Sequence, residues 1–195
     1  KEISSGVVLV QNQSYYEVDL SNGEKFYFSS YDEQDGIKGF ATDEDSVEVV
    51  TSFGTGFFVS DDGQIVTNAH VVSNTVADKD VNKSVSKIVD ALKKITLSMY
   101  NDYTEKFREA EQAYNYANYS DEVSYEDFYK LRDIKDALEE KRKEYAETYN
   151  ELDDIKASES EIKYHNKISI AYNDTYVTST TDFVSCVITK IDSEH

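Results

Sequence analysis

The sequence predicts a mainly β fold that is interrupted by an α-helical insertion. Alternating apolar residues, separated by turn-forming residues, run from the start of the chain to Val72 and return from Lys167. This two-residue period is typical of half-buried strands. Between these parts, apolar residues recur every three or four positions, which is the period of a helix. We therefore expect a β unit formed by residues 1–75 and 164–195, with an inserted helical hairpin at 76–163.

Charge and composition narrow the classes of function. The 195 residues carry a formal net charge of −19, so nucleic acids and anionic membrane surfaces would repel the chain. No run approaches the roughly 20 apolar residues of a membrane span, and residues 1–15 lack the zones of a signal peptide. Cys186 is the single cysteine, and no motif has the spacing of a metal or cofactor site. We expect no nucleic-acid binding, no membrane insertion, no metal and no cofactor.

The parts on either side of the insertion predict short antiparallel strands. Before it, the runs with strand character are 6–10, 15–20, 25–28 and 46–50. A Ser-Asn-Gly turn at 21–23 follows the second run, and the acidic stretch 31–45 predicts a long loop. After the insertion, we expect strands at 167–172 and 183–191 that complete the same β unit.

The most informative stretch is Gly54–Val72, which reads G-T-G-F-F-V-S-D-D-G-Q-I-V-T-N-A-H-V-V. It predicts a strand at 57–60, a tight Asp-Gly turn at 62–63 where a positive φ is tolerated, and a second strand at 64–67. The second strand leads directly into a short turn that carries His70.

This stretch resembles the histidine hairpin of trypsin-like serine peptidases, most closely that of the bacterial HtrA/Deg type, whose usual wording is close to G-S-G-F-x-x-x-x-x-G-x-I-x-T-N-x-H-V-V. In that family the histidine is the general base for the nucleophilic serine, and an aspartate orients its ring. The resemblance implies this role for His70, the first antiparallel β-barrel of a trypsin-like fold for the β unit, and a polypeptide substrate. Because the family is mostly exported, it also implies a periplasmic or secreted location in a bacterium.

The resemblance leaves two candidates for the catalytic acid. In the first, Asp182 at the start of the last strand takes this role. In the second, that strand precedes the acid, and Asp192-Ser193-Glu194-His195 leads to an aspartate just beyond the end of the chain. The second agrees better with the family, in which a short apolar run and a basic residue follow the aspartate at once.

No serine in the chain has the setting of the family's nucleophile. That serine lies in a G-x-S-G-G loop, whose glycines let backbone N–H groups converge on the oxyanion. All seven glycines lie at or before Gly63. We therefore expect the nucleophile and the second barrel to lie outside these residues, and this chain alone to be inactive. Cys186 lies in an apolar strand without a basic neighbour, which predicts a structural cysteine, and we expect His165 and His195 to be surface residues.

Two amphipathic runs predict the helical hairpin. They extend from Val81 to Ala117 and from Phe128 to Ile155, with a polar turn at 118–124 between them. An antiparallel pair with arms of about 50 Å is expected, and Ser124 is the expected N-cap of the second helix. Such an insertion is not usual in the resembled family.

The hairpin leaves a second class of function open. We expect its charged outer face to be mainly a solvated surface. A projecting pair of helices is also suited to binding a partner protein or to forming an oligomer. The alternative to the peptidase is therefore a non-catalytic interaction module, in which the hairpin holds a partner and His70 has no catalytic role.

Overall fold

The computed structural model describes residues 6–173, 175–179 and 182–192. The chain divides into two compact units, which are a sheet unit of residues 1–84 and 158–195 and a hairpin unit of residues 85–157. The sheet unit contains a curled antiparallel sheet with the general shape of a half-barrel, and the other unit contains a long helical hairpin. The mixed architecture, β with an inserted helical hairpin, is thus confirmed.

The elements follow one another in a simple order. The strands are β1 (Val7–Asp19), β2 (Lys25–Phe28), β3 (Ser30–Asp32), β4 (Gly36–Lys38), β5 (Val50–Phe58), β6 (Ile65–Thr67), β7 (Glu161–Tyr172) and β8 (Val184–Cys186). The α-helices are α1 (Ala69–Val72), α2 (Asp78–Tyr119) and α3 (Tyr125–Asp153), with 3₁₀ turns at Glu44–Ser46 and Ala157–Glu159. In the main sheet the order is β6-β5-β1-β7-β8, and β2 also pairs with β1.

Strand β1 is the centre of the sheet. It pairs with β5 along its first half, with β7 along nearly its whole length, and with β2 at its end. The sequence predicted two strands here, because the polar stretch 11–14 interrupts the apolar pattern. That prediction was wrong, since these polar side chains find partners across the sheet; for example, Ser169 Oγ donates to Gln11 Oε1 at 3.0 Å.

Other strand boundaries also differ from the predicted ones. The expected loop at 31–45 contains the small β3–β4 hairpin, in which Gly36 has a φ of 79°. Within the expected strand at 46–50, Ser46 ends the 3₁₀ turn and only Val50 belongs to a strand, β5. At the other end, β7 begins six residues earlier than predicted, and β8 covers only part of 183–191. Pairing with the long β1 decides the length of β7, and local sequence does not show that pairing.

One hydrophobic core cluster of the sheet unit lies on one face of the main sheet. Its buried members are aliphatic side chains of β1, α1 and β7, namely Val8, Val10, Val71, Val72, Ile168 and Ile170. Phe58, Ile65, Cys186 and Ile188 pack against them. Helix α1 is therefore part of this core, although it is only four residues long.

The hairpin unit is an antiparallel helix pair whose helices contact each other through aromatic rings and a salt bridge. Contacts join Lys93 to Asp153 and the ring of Tyr103 to that of Tyr145, and Tyr114 faces Phe128. Partner numbers fall along α3 as they rise along α2, which confirms the antiparallel arrangement. At 1.5 Å per residue, the 42 residues of α2 extend about 63 Å and the 29 residues of α3 about 44 Å. No helix in the described part of the chain combines the length and the apolar composition needed to cross a membrane.

Ser124 caps α3 as the sequence predicted. Its hydroxyl accepts a hydrogen bond from the backbone N–H of Asp127 at 3.1 Å, which satisfies one of the free donors of the first helical turn. We expect Ser124→Ala to lower the free energy of unfolding of the hairpin unit by about 1 kcal/mol, measured by urea denaturation followed by circular dichroism. Ser124→Thr should retain most of the stability, and Ser98→Ala, in the middle of α2, is the matched control. A Ser124→Ala variant as stable as the control would contradict this role.

Candidate active site

The strand hairpin that leads to His70 forms as the motif predicted. Gly56 lies opposite Thr67, and Phe58 lies opposite Ile65. Gly63 has a φ of 93°, a left-handed conformation that glycine adopts without steric cost. Thr67 Oγ1 donates to the carbonyl oxygen of Thr55 at 2.8 Å, so the end of β6 is attached to β5 directly before the histidine.

Helix α1 is a single turn that places His70 beside two buried valines. Asn68 precedes it in an extended conformation, with a φ of −67° and a ψ of 138°. Val71 N donates to the carbonyl oxygen of Asn68 at 3.0 Å, and Ser73 N donates to that of Ala69 at 2.9 Å. Val71 and Val72 are buried while the His70 side chain is exposed. The turn is thus anchored by its neighbours and presents the imidazole to solvent.

The two glycines of the motif allow close packing inside the sheet unit. A Cβ on Gly54 would lie 2.6 Å from Val71 Cγ2, and a Cβ on Gly56 would lie 2.8 Å from Ile65 Cγ2. Real Cβ atoms essentially never come this close to another heavy atom. Both glycines lie within β5, which begins earlier than the strand at 57–60 that the sequence predicted. Their function here is to leave space for α1 and for β6.

Two asparagines from other strands hold the free carbonyl groups at the end of α1. Asn12 Nδ2 donates to the carbonyl oxygen of Val71 at 2.9 Å, and Asn166 Nδ2 donates to that of Val72 at 2.8 Å. The last carbonyl groups of a helix have no partner within the helix. At the carboxyl end of α1, the side-chain amides of Asn12 and Asn166 bind these groups in place of water. Neither asparagine could be predicted from local sequence, because they lie 59 and 94 positions away from their partners.

The structure does not bring an acid to His70 within the described residues. No carboxylate there makes a hydrogen bond or ion pair with His70. Asp182 Oδ2 instead accepts from the backbone N–H groups of Thr178 and Ser179, at 2.7 and 2.8 Å. These N–H groups hold the pKa of Asp182 below its usual value, because they stabilise the charged form. The catalytic roles of His70 and Asp182 stay predictions, and Ser193, Glu194 and His195 lie outside the described residues.

Cys186 has the surroundings of a structural thiol. It lies in β8 opposite Ile168 and packs against the core of the sheet unit. Burial raises its pKa, because desolvation disfavours the thiolate. A protonated thiol is a poor nucleophile, so these features agree with the structural role expected from the sequence.

A second group of ionisable side chains occupies the opposite face of the sheet. Glu17, on β1, is buried and accepts from Lys25 Nζ at 2.6 Å. His165 Nε2 lies 2.8 Å from Glu17 Oε2, and the His165 ring stacks on Tyr15 with the ring centres 4.8 Å apart. Lys163 lies 3.6 Å from Glu17. His165, expected as a surface residue, is thus a half-buried partner of Glu17. It lies within β7, because that strand begins before it.

The contact between Gly54 and Val71 can be tested by a double-mutant cycle. We expect Gly54→Ala to lower the free energy of unfolding by about 1–3 kcal/mol, because the new methyl group overpacks the site. Adding Val71→Ala should cost less than the sum of the single changes, with a coupling of about 1 kcal/mol, measured by urea denaturation. Gly6→Ala is the control, since a Cβ there meets no atom within 4 Å. Additive single effects would show that the two residues do not touch.

The Glu17 network predicts how stability changes in acid. Hydrogen bonds from Lys25 and His165 lower the pKa of Glu17 from its usual 4.5 despite its burial. Its contribution to stability is therefore present above pH 4.5 and is lost as the pH falls through the lowered folded-state pKa. We expect Glu17→Gln to reduce the slope of unfolding free energy against pH below 4.5. Glu24→Gln, which changes an exposed neighbour outside the network, is the control. If Glu17→Gln left the slope below pH 4.5 unchanged, the Glu17 network would not be the source of that pH dependence.

Comparisons with known proteins add no further assignment. Searches against protein-family models, curated proteins and solved structures found no match for this chain. Its function must therefore be argued from the residues described above.

Proposed function

We propose that this chain is the amino-terminal part of a trypsin-like serine endopeptidase, in which His70 is the general base. The observation that carries the proposal is the arrangement at 54–72: a glycine-containing strand, a tight hairpin and one helical turn that presents an exposed imidazole. The T-N-A-H-V-V sequence supports the proposal, because residues of this motif also position α1. Thr67 Oγ1 hydrogen-bonds to β5, and Val71 and Val72 are buried in the core of the sheet unit. The resemblance also supports an exported, bacterial setting.

The chemistry requires a rigidly held imidazole. In an acyl-transfer reaction, His70 would take the proton of a serine hydroxyl as that oxygen attacks the peptide carbonyl, and would then give the proton to the leaving amine. Water would hydrolyse the acyl-enzyme by the same route. For direct proton transfer, the imidazole nitrogen must lie about 2.6–3.2 Å from the oxygen or nitrogen atom that carries the proton. The anchoring of α1 by Val71, Asn12 and Asn166 is the feature of this chain that provides such positioning.

The remaining catalytic groups are proposed to lie elsewhere in the natural protein. No residue of the chain has the G-x-S-G-G setting of the nucleophile, so the 195 residues alone should not form an acyl-enzyme. Asp182 already accepts three hydrogen bonds from Thr178 and Ser179. These bonds favour the second candidate for the acid, an aspartate that follows Asp192 beyond residue 195.

Labelling with a fluorophosphonate, which modifies activated serines, tests the proposal. The natural protein that contains these residues should label, whereas the 195-residue chain should not. His70→Ala in the natural protein should slow labelling by roughly 10²–10⁴-fold, the usual contribution of a general base. The control Ala69→Ser changes an exposed residue of the same helical turn and should label at the wild-type rate.

Loss of labelling must be separated from loss of folding. Because the His70 side chain is exposed and has no hydrogen-bond partner among the described residues, His70→Ala should change the free energy of unfolding by less than about 0.5 kcal/mol. A folded natural protein that does not label, or a His70→Ala variant that labels normally, would refute the peptidase proposal.

A further inference from the structure

Exposed tyrosines cluster where α2 ends and α3 begins. Tyr119 is 88% exposed and Tyr125 is 86% exposed, and the side chains of Tyr116 and Tyr129 are also largely open to solvent. Tyrosine offers a large, rigid ring face together with a polar hydroxyl, and it is enriched in protein interfaces for that reason. We call these four tyrosines, together with Asp121 and Glu122, the tip surface. It belongs entirely to the hairpin unit.

The tip surface has a negative charge that the chain does not compensate. From residue 112 to residue 129 there is no lysine, arginine or histidine, but there are four carboxylates. Glu126 pairs with Lys130 at 2.6 Å, and Asp127 hydrogen-bonds with Ser124. Asp121 and Glu122 have no ion pair with any described residue. A cation that approaches the exposed rings therefore meets two carboxylates that are still available.

Several rings of the hairpin unit, including that of Tyr129 in the tip surface, already hold cations of the chain. The guanidinium of Arg132 lies 4.9 Å from the ring centre of Tyr129, and that of Arg142 lies 4.5 Å from the ring centre of Phe107. These distances are typical of cation–π contacts. The rings of Tyr119 and Tyr125 hold no such cation within the described residues, so their faces are open to a cation from outside.

We propose that the tip surface binds a segment of another polypeptide that carries lysine or arginine side chains. Each basic side chain would lie over a tyrosine ring and pair with Asp121 or Glu122, as Arg132 already does with Tyr129 and Asp133. A second copy of this chain is disfavoured as the occupant, because it brings the same unpaired carboxylates and a net charge of −19. The proposal does not depend on the chemistry of His70.

The test measures binding of a short unstructured peptide in which arginine alternates with glycine and serine. Fluorescence anisotropy at low ionic strength should show saturable binding to the 195-residue chain, and a peptide with glutamate in place of arginine should not bind. Tyr119→Ala/Tyr125→Ala should weaken binding about tenfold, since two cation–π contacts are removed. Tyr119→Phe/Tyr125→Phe keeps both rings and should bind like the wild type.

Matched variants separate the tip surface from the general charge of the chain. Tyr176→Ala removes a tyrosine that is 89% exposed in the sheet unit, and it should leave the affinity unchanged. Asp121→Asn/Glu122→Gln should reduce both the affinity and its salt dependence more than Glu109→Gln/Glu111→Gln, which removes the same charge elsewhere on α2. The proposal would be overturned if Tyr176→Ala weakened binding as much as Tyr119→Ala/Tyr125→Ala. It would also be overturned if Glu109→Gln/Glu111→Gln weakened binding as much as Asp121→Asn/Glu122→Gln.

Two direct measurements complete the test. Backbone amide shifts caused by the arginine peptide should concentrate between residues 112 and 130, and shifts spread over both units would overturn the proposal. Sedimentation should show one chain per particle with or without the tyrosines. A dimer that is lost in Tyr119→Ala/Tyr125→Ala would instead assign the tip surface to a second copy. All variants change exposed side chains and should unfold at the wild-type urea concentration.

Discussion

Asn12 is the buried side chain on which the arrangement of the sheet unit depends. It lies in the middle of the central strand, with only 3% of its surface exposed. Its Nδ2 group donates to the carbonyl oxygen of Val71 and to the hydroxyl of Tyr164, both at 2.9 Å. A buried amide N–H without a partner is costly, so α1 and β7 together satisfy the Nδ2 group, whereas Asn12 Oδ1 is buried without a hydrogen-bond partner among the described residues. The proposed catalytic turn is thereby coupled to the centre of the sheet.

The packing of Gly54 against Val71 acts on the same helical turn from the other side. The glycine lets α1 approach β5, and the asparagines hold its carbonyl end. A four-residue helix has too few internal hydrogen bonds to be stable by itself. The geometry of α1 is therefore determined by the sheet, which fixes the backbone at His70 although its side chain is exposed.

The two units use charge differently. In the sheet unit, Glu17 and Asp19 are surrounded by Lys25, Lys163 and His165, so acidic groups of β1 are compensated across neighbouring strands. In the hairpin unit, cations lie over rings within the helix pair, whereas Asp121 and Glu122 at its end have no ion pair among the described residues. Asp121 and Glu122 thus add uncompensated negative charge to a surface that also exposes aromatic rings, which is the basis for proposing a basic partner there.

Features that depend on near neighbours could be predicted from the sequence. The Asp62-Gly63 turn, the strand before Asn68, the Ser124 cap and the period of both helices are set by residues within a few positions, and each was predicted correctly. Tertiary structure alone decided the continuity of β1, the pairing of His165 with Glu17 over 148 positions, and the contacts of Asn12 and Asn166 with α1. Polar residues at 11–14 look like a break in a strand until their partners are in place. A hydrogen bond or a buried charge is stabilised by a partner that the fold brings close to it. When that partner is far away in the sequence, the local residue pattern gives no sign of it.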